Sequence, residues 1–238
     1  MVEKIYLVDQ YLKELDANVI SVNGQLVELD KTIFYPGGGG QPCDTGEIRI
    51  NDIDYKVVEV RKTNDSIIHI LDKAPSAKKN DIAICRIDWD KRYAYMRHHT
   101  ALHVIGGVLE NGHSNGKITG GQIYSTRAHL DFDLTSLNRE LALKILEEAQ
   151  RVIDGNKSVR AKILAKDEAL KIPNLIRTDP GRDIFKNLEE IRVIEIDGFD
   201  MQLDGGLHVS NTKEIGKLSL ARFENKGAHR KRVEIELI

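Results

Sequence analysis

The chain has 238 residues, 41% hydrophobic and 30% charged, with a formal net charge of −2 and a sequence pI of about 6.5. That length can bury a full core in one or two domains, and the near-neutral balance excludes a generally basic nucleic-acid coat while leaving room for a local basic patch. No run of 18 apolar residues occurs, the start Met1-Val2-Glu3-Lys4-Ile5-Tyr6 lacks a signal-like apolar stretch, and Cys43 and Cys85 are the only cysteines, so neither a transmembrane helix nor a disulfide framework is expected and a reducing cytoplasm is the expected compartment.

Residues 1–90 read mostly as short strands. Residues 17–22 and 25–29 flank Asn23-Gly24, a type I′ hairpin signal, and residues 46–50 and 54–60 flank Asn51-Asp52, a second hairpin. Residues 66–71 and 81–87 add two strands, with a basic loop over 75–80 between them. Short strands joined by tight turns predict a small β-barrel. Between Pro36 and Gln41 stands Gly37-Gly38-Gly39-Gly40, too rich in glycine for a regular strand and suited to positive φ and close backbone approach. It is not a nucleotide-binding P-loop, because no Gly-Lys-Ser/Thr follows.

Near Trp89 the period changes. Tyr95, His99, Leu102, Ile105 and Leu109 follow helical spacing through Gly106-Gly107, with Asn111-Gly112 as the stop. Strands are predicted over 117–125 and 127–132. An amphipathic helix follows over 136–154, with Leu137, Leu141, Ile145, Ala149 and Val152 on one face. Next come a strand over 158–165 and a short helix over 166–170. After a loop containing Pro173 and Pro180, strands near 191–196, 199–203, 214–222 and 232–237 complete the chain. The lack of strict βαβ alternation predicts an α+β fold, with an N-terminal β-barrel domain over 1–88 and a second domain over 89–238. Residues 1–90 carry 11 Lys+Arg against 16 Asp+Glu, and residues 91–238 carry 24 against 21, so positive charge concentrates in the second part.

That second part holds two pairs of metal-ligand types. His99-Thr100-Ala101-Leu102-His103 places two imidazoles four residues apart, on one helix face. Asp204-Gly205-Gly206-Leu207-His208 flanks a Gly-Gly turn that can aim both side chains at one point. Three imidazoles and a carboxylate suffice for a tetrahedral zinc site if the fold joins the pairs. Position 100 is Thr where a zinc peptidase helix needs its Glu base, so a peptidase of that type is not expected.

Four stretches taken together are similar to the AlaX family of alanyl-tRNA editing proteins and to the editing domain of alanyl-tRNA synthetase. They are Phe34-Tyr35-Pro36 with Gly37–Gly40, Gln41 and Asp44; Asp88-Trp89 through Met96-Arg97-His98-His99 to His103; Gly121-Gln122 with His129-Leu130-Asp131-Phe132; and Asp204 through Val209 with Thr212, Glu214, Ile215 and Gly216. The resemblance implies an N-terminal barrel followed by an α/β two-layer editing domain of the threonyl/alanyl-tRNA synthetase type. It implies hydrolysis of the ester joining serine, or glycine, to alanine tRNA, by a trans-acting protein without an aminoacylation core. Such clearing is physically needed. Glycine is too small to exclude sterically from an alanine site, and an apolar pocket rejects an added hydroxyl by only roughly 100-fold.

The resemblance also implies roles. His99, His103 and His208 would be metal ligands. Asp204 stands where many members carry cysteine, so it either ligates as a harder donor or caps the glycine turn, and the metal is zinc or another divalent ion. The metal would polarise the ester, activate water or position the substrate. Thr100 is expected to contact the serine hydroxyl or to be a core residue; Gln122, to line the pocket or end a strand; Gly38, Gly39, Gly40 and Gln41, to influence substrate choice or pack between domains. For the tRNA, Arg222, Lys226, His229, Arg230, Lys231 and Arg232 form a basic cluster suited to phosphate contact, with Lys78, Lys79, Arg92 and Arg97 as additions. The rival reading is a non-catalytic tRNA-binding module on the same scaffold.

Overall fold

The computed structural model describes residues 2–63, 66–112, 117–177, 179–186 and 188–238. Its contacts divide the chain into two units, Met1–Ala94 and Tyr95–Ile238. No helix among the described residues is long and apolar enough to cross a membrane.

The first unit contains β1 (Glu3–Lys4), a helical turn α1 (Ile5–Val8), β2 (Glu14–Asn23), β3 (Leu26–Leu29), β4 (Lys31–Thr32), β5 (Gly46–Ile50), β6 (Ile53–Lys62), β7 (Ile67–Leu71) and β8 (Ile82–Ile87). Alternation along these strands turns Val19, Val27, Leu29, Ile48, Ile50, Tyr55, Val57, Ile67, Leu71, Ala83 and Cys85 inward. The sheet closes on itself in the order β2-β3-β7-β6-β5-β8, the expected barrel. Two details differ from expectation. The first hairpin turns at Gly24-Gln25, since Asn23 pairs with Leu26 and, of these turn residues, Gly24 alone has positive φ, as a type II′ turn requires. The I′ geometry belongs to Asn51-Asp52, where φ is 50° and 61°. The short parallel pair β1–β4 carries too few residues to leave a sequence period.

Inside the barrel, His69 is wholly buried. Its Nδ1 faces the Val27 carbonyl at 3.2 Å and its Nε2 faces Thr32 Oγ1 at 2.8 Å. Burial pushes its pKa down to about 4, so the ring is neutral, with Nδ1 donating and Nε2 accepting.

Helix α2 (Trp89–Gly112) begins in the first unit and continues in the second. There follow β9 (Lys117–Ile123), β10 (Ala128–Asp133), α3 (Arg139–Asp154), β11 (Val159–Ala165), α4 (Lys166–Ala169), α5 (Asp179–Lys186), β12 (Glu190–Ile196), β13 (Asp200–Leu203), a 3₁₀ turn (Thr212–Ile215), β14 (Leu218–Asn225) and β15 (Lys231–Leu237). Two antiparallel sheets form, β14-β15-β10-β9 and β11-β12-β13. Helix α3 starts at Asn138, whose side chain accepts the Leu141 N–H, and buries Ala142, Ile145, Leu146, Ala149 and Ile153. The fold is the α+β class expected, with two corrections. Pro180 stands in the first turn of α5, where a missing N–H removes no helical bond, instead of in a loop; the neighbouring Thr178 lies outside the described residues. Glu214 is not in a strand but closes a capping box with Asn211 on the 3₁₀ turn.

Candidate metal centre

Helix α2 brings His99 and His103 to one face, one turn apart, with ring centroids 5.1 Å from each other. The second pair arrives on the chain leaving β13. The β12–β13 hairpin pairs Val193 with Leu203, and the next step sets Arg192 beside Asp204, whose N–H donates to the Arg192 carbonyl at 3.2 Å. Arg192 Nη1 in turn donates to the Asp204 carbonyl at 2.8 Å. The chain then turns through Gly205-Gly206 and carries His208 back over His99, with ring centroids 4.3 Å apart. Gly206 is required by this approach, because a Cβ there would lie 2.3 Å from His99 Cε1.

Ligand atoms of His99, His103, Asp204 and His208 all lie within 4.8 Å of one another. The three imidazoles are buried, and the Asp204 side chain is 12% exposed. Asp204 Oδ2 accepts the Gly206 N–H at 2.5 Å and lies 3.1 Å from His208 Nε2; Oδ1 lies 3.5 Å from His99 Nε2 and 3.9 Å from His103 Nε2. The carboxylate therefore caps the glycine turn and meets His208 with one oxygen and faces His99 and His103 with the other. Both readings of Asp204 fit one geometry.

The charge state suits a cation. Burial, then the neighbouring His208, holds the His103 imidazole well below its ordinary pKa. Burial and His99 bring His208 to about 4. Burial alone would raise the Asp204 carboxyl, but His99 and His208 more than offset it and hold it well below the carboxylate range. At neutral pH His103 and His208 present neutral nitrogens and Asp204 presents an anion, the protonation states that metal binding requires. His103 Nδ1 is buried without a hydrogen-bond partner. Donor set, protonation and spacing all fit a divalent ion such as zinc.

The other expected residues divide. Thr100 is 0% exposed; its hydroxyl donates to the Met96 carbonyl at 2.9 Å and accepts the Val209 N–H at 3.2 Å. The hydroxyl is thus engaged by the protein's own backbone, as a core residue's would be. Gln122 is half-buried on β9, opposite His129 in register. In the same sheet, Arg222, Lys226, His229 and Arg230 are exposed on the β14–β15 hairpin, although Arg222 and Lys226 both reach Glu224 at 2.8 Å and His229 reaches Asp133 at 2.8 Å. Arg232 is held by two bonds to Asp131. Lys231 is 5% exposed with its ammonium on Asn225, so the expectation of a phosphate contact there is corrected: its side chain points into the fold. Arg97 donates to the Ile215 carbonyl.

In the first unit, Arg92 is a further correction. It is 0% exposed and inaccessible to phosphate. Its guanidinium pairs with Asp44 and donates to the carbonyls of Gln10 and Ile33. Asp44 also accepts the Tyr35 N–H at 2.6 Å. This buried pair anchors both ends of the segment carrying Gly37–Gly40. Those four glycines have φ of 83°, 141°, 59° and 85°. Gly38 and Gln41 exchange two backbone bonds of 3.0 Å, so the tip is a tight turn with Gly38 and Gly39 exposed and Gln41 buried.

Two supporting residues went unrecognised in the sequence. Gln202 donates to the His103 carbonyl at 3.3 Å, and Arg192 sits 4.0 Å from the Asp204 carboxylate. Arg192 was legible in one respect: folding the 191–196 and 199–203 strands about Gly198 sets positions 192 and 204 side by side.

Residues 2–91 match the family described as tRNA synthetases class II (A), and residues 191–234 match the threonyl and alanyl tRNA synthetase second additional domain. The alanyl-tRNA editing protein AlaX-M of Saccharolobus solfataricus is 40% identical over 236 residues, 98% of each chain. That of Methanosarcina mazei is 35% identical over 246 residues, covering 100% of this chain and 97% of the relative. The alanine–tRNA ligase of Ignicoccus hospitalis is 40% identical over 225 residues, 91% of this chain but 24% of the ligase.

Proposed function

The chain belongs to the AlaX family of alanyl-tRNA editing proteins, and we propose that it is a trans-acting, metal-dependent deacylase that hydrolyses alanine tRNA mischarged with serine, with glycine as the second target. The observation that carries the reading is the buried cluster of three imidazoles and one carboxylate. Water adds to the ester carbonyl, the acyl–oxygen bond breaks, and the products are the free amino acid and the tRNA 3′-terminal hydroxyl.

His99, His103, His208 and Asp204 would hold the ion, Asp204 offsetting one of its charges. Bound there, a zinc ion would supply Lewis acidity for the ester carbonyl, a water of lowered pKa or an anchor for the substrate. Arg192 and Gln202 hold the backbone at Asp204 and His103, which fixes where the ligand side chains start. Gln122 is proposed as an amide lining the substrate pocket. Gly38, Gly39, Gly40 and Gln41 are proposed to influence which substrate is accepted, a reading supported by the exposed tip of their turn. Exposed Arg222, Lys226 and Arg230 are proposed as phosphate contacts for the tRNA.

Hydrolysis of seryl-, glycyl- and alanyl-esters of alanine tRNA, before and after chelation and zinc return, tests the reading. The expected result is loss of the seryl ester, sparing of the alanyl ester, and activity that leaves with the metal and returns with it. No hydrolysis of any ester, with tRNA binding retained, overturns it in favour of a binding module.

A further inference from the structure

Gly106-Gly107 stands in the interior of α2, one turn past His103, where two glycines weaken a helix relative to alanine. Packing gives them a reason. A Cβ on Gly107 would lie 2.6 Å from the Phe199 ring and 3.1 Å from Asp200 Cβ, and one on Gly106 would lie 3.0 Å from Ile118 Cδ1 and 3.5 Å from Gln202 Nε2. The two glycines therefore form a notch that seats the start of β13.

A chain of side chains runs along this notch. Gln202 Nε2 lies 3.3 Å from the His103 carbonyl and 2.5 Å from Asp200 Oδ2. Asp200 Oδ1 accepts Arg177 Nη2 at 2.5 Å. The carbonyl and the carboxylate both accept, so the Gln202 amide must turn its NH₂ to each and has one proton for each. The same Arg177 guanidinium donates to the Asn174 carbonyl at 2.7 Å and to the Gly106 carbonyl at 3.3 Å, and lies 3.7 Å from Glu110. Arg177 thus grips α2 on the turn after His103 and reaches the His103 carbonyl itself through Asp200 and Gln202.

We propose that Arg177 and Asp200 are positioning residues for the metal centre, which with Gln202 lock the His103 turn of α2 against β13 and so set the distance between the two pairs of ligands. β13 ends at Leu203, and the next residue is Asp204. Where this short strand sits against α2 therefore decides how far the carboxylate stands from His99 and His103. The inference rests on the metal-dependent reading, because what the chain of bonds fixes is the spacing of its four ligand residues.

Zinc affinity and thermal unfolding test it together. Competition with a chelator reads the affinity for Zn²⁺, at a temperature where the far-ultraviolet spectrum shows each variant folded. Asp200→Asn keeps the shape of the side chain but turns its NH₂ toward Gln202 or toward Arg177, both donors, so the chain breaks at one end or the other. This variant and Arg177→Met are expected to bind Zn²⁺ roughly 10-fold more weakly than wild type. The rise in melting temperature that one fixed zinc concentration gives wild type is expected to shrink in both. A purely structural role would lower the metal-free and zinc-bound midpoints equally. Wild-type affinity and a wild-type zinc increment in both variants overturn the positioning role and leave the metal reading standing. No zinc binding by wild type overturns the metal reading and this role with it.

Discussion

Asp44 in the first unit and Asp204 in the second each sit in a polar cluster, and the two clusters are built on opposite terms. Asp44 meets the permanent cation of Arg92, and the remaining donors of that guanidinium go to the carbonyls of Gln10 and Ile33. Asp204 meets three imidazoles, of which His103 and His208 are held neutral by burial. The first cluster is closed: charge is balanced within it, and it serves to hold a loop. The second gathers an anion and lone pairs about one point, with the Arg192 guanidinium beside it at 4.0 Å instead of among the converging atoms. Buried titratable groups thus do not mark a functional site by themselves. What distinguishes the second cluster is that its donors converge without a cationic side chain at their centre.

The sharpest way to break this contrast is to delete a ligand. His208→Ala and His103→Ala are expected to abolish ester hydrolysis and zinc binding while leaving the far-ultraviolet spectrum of a folded chain. Retained hydrolysis in either variant contradicts the assignment of the open cluster. The converse experiment is Arg92→Met, which strands the Asp44 charge in the interior. Removing one partner of a buried ion pair costs about 3–5 kcal/mol, so urea unfolding is expected at a markedly lower midpoint, with zinc binding intact in the fraction that stays folded. Loss of zinc binding without loss of stability would reverse the roles assigned to the two clusters.

The open cluster was the more legible of the two. The i,i+4 histidines share one face of a long helix, and the Gly-Gly step between Asp204 and His208 announces a turn that converges. The closed cluster was hidden because Arg92 and Asp44 are 48 residues apart and neither residue type signals burial; a lone Arg at the start of a helix looks like a solvated cation. Lys231 misled for a related reason, since adjacent Arg230, Lys231 and Arg232 read as one basic run although strand alternation sends the middle residue inward. The barrel was visible through its period of two, but the first turn was not: the Asn-Gly signal was read one residue early, and pairing of Asn23 with Leu26 moved the turn to Gly24-Gln25. Thr100 kept its ambiguity because a hydroxyl in a helix can serve a substrate or its own neighbours, and only the positions of Met96 and Val209 show which neighbours engage it.

A buried histidine outside both clusters sharpens the comparison by showing what a purely structural one does. His69 has both ring nitrogens engaged inside the barrel and a pKa pushed down to about 4. Between pH 6.5 and about 4 the unfolded chain binds a proton that the folded chain refuses, so stability falls as pH falls through that window. The shift corresponds to roughly 3 kcal/mol at its full extent. The difference in unfolding free energy between wild type and His69→Gln is expected to be constant above pH 6.5 and to shift against wild type by up to that amount as pH falls toward 4. Comparing the two proteins cancels the similar contributions of His103 and His208. Parallel curves would mean that His69 has the same pKa in the folded barrel as in the unfolded chain.

The smallest effect concerns the β14–β15 hairpin, where exposed and buried cations stand side by side. Arg222→Glu with Arg230→Glu removes two exposed charges, whereas Lys231→Met removes a buried one whose ammonium already serves Asn225. If the hairpin touches the phosphate backbone, the double variant needs more tRNA for half-maximal rate, keeps its rate at saturation, and loses roughly 0.7 to 0.9 from its log affinity–log salt slope for each contact removed. Lys231→Met is expected to leave that slope unchanged and to alter only stability. An effect of Lys231→Met on the slope as large as that of the double variant would mean that the hairpin opens when RNA binds. An unchanged slope in the double variant would place the tRNA on another face, because screened Coulomb attraction from an exposed arginine cannot vanish without a trace in the salt dependence.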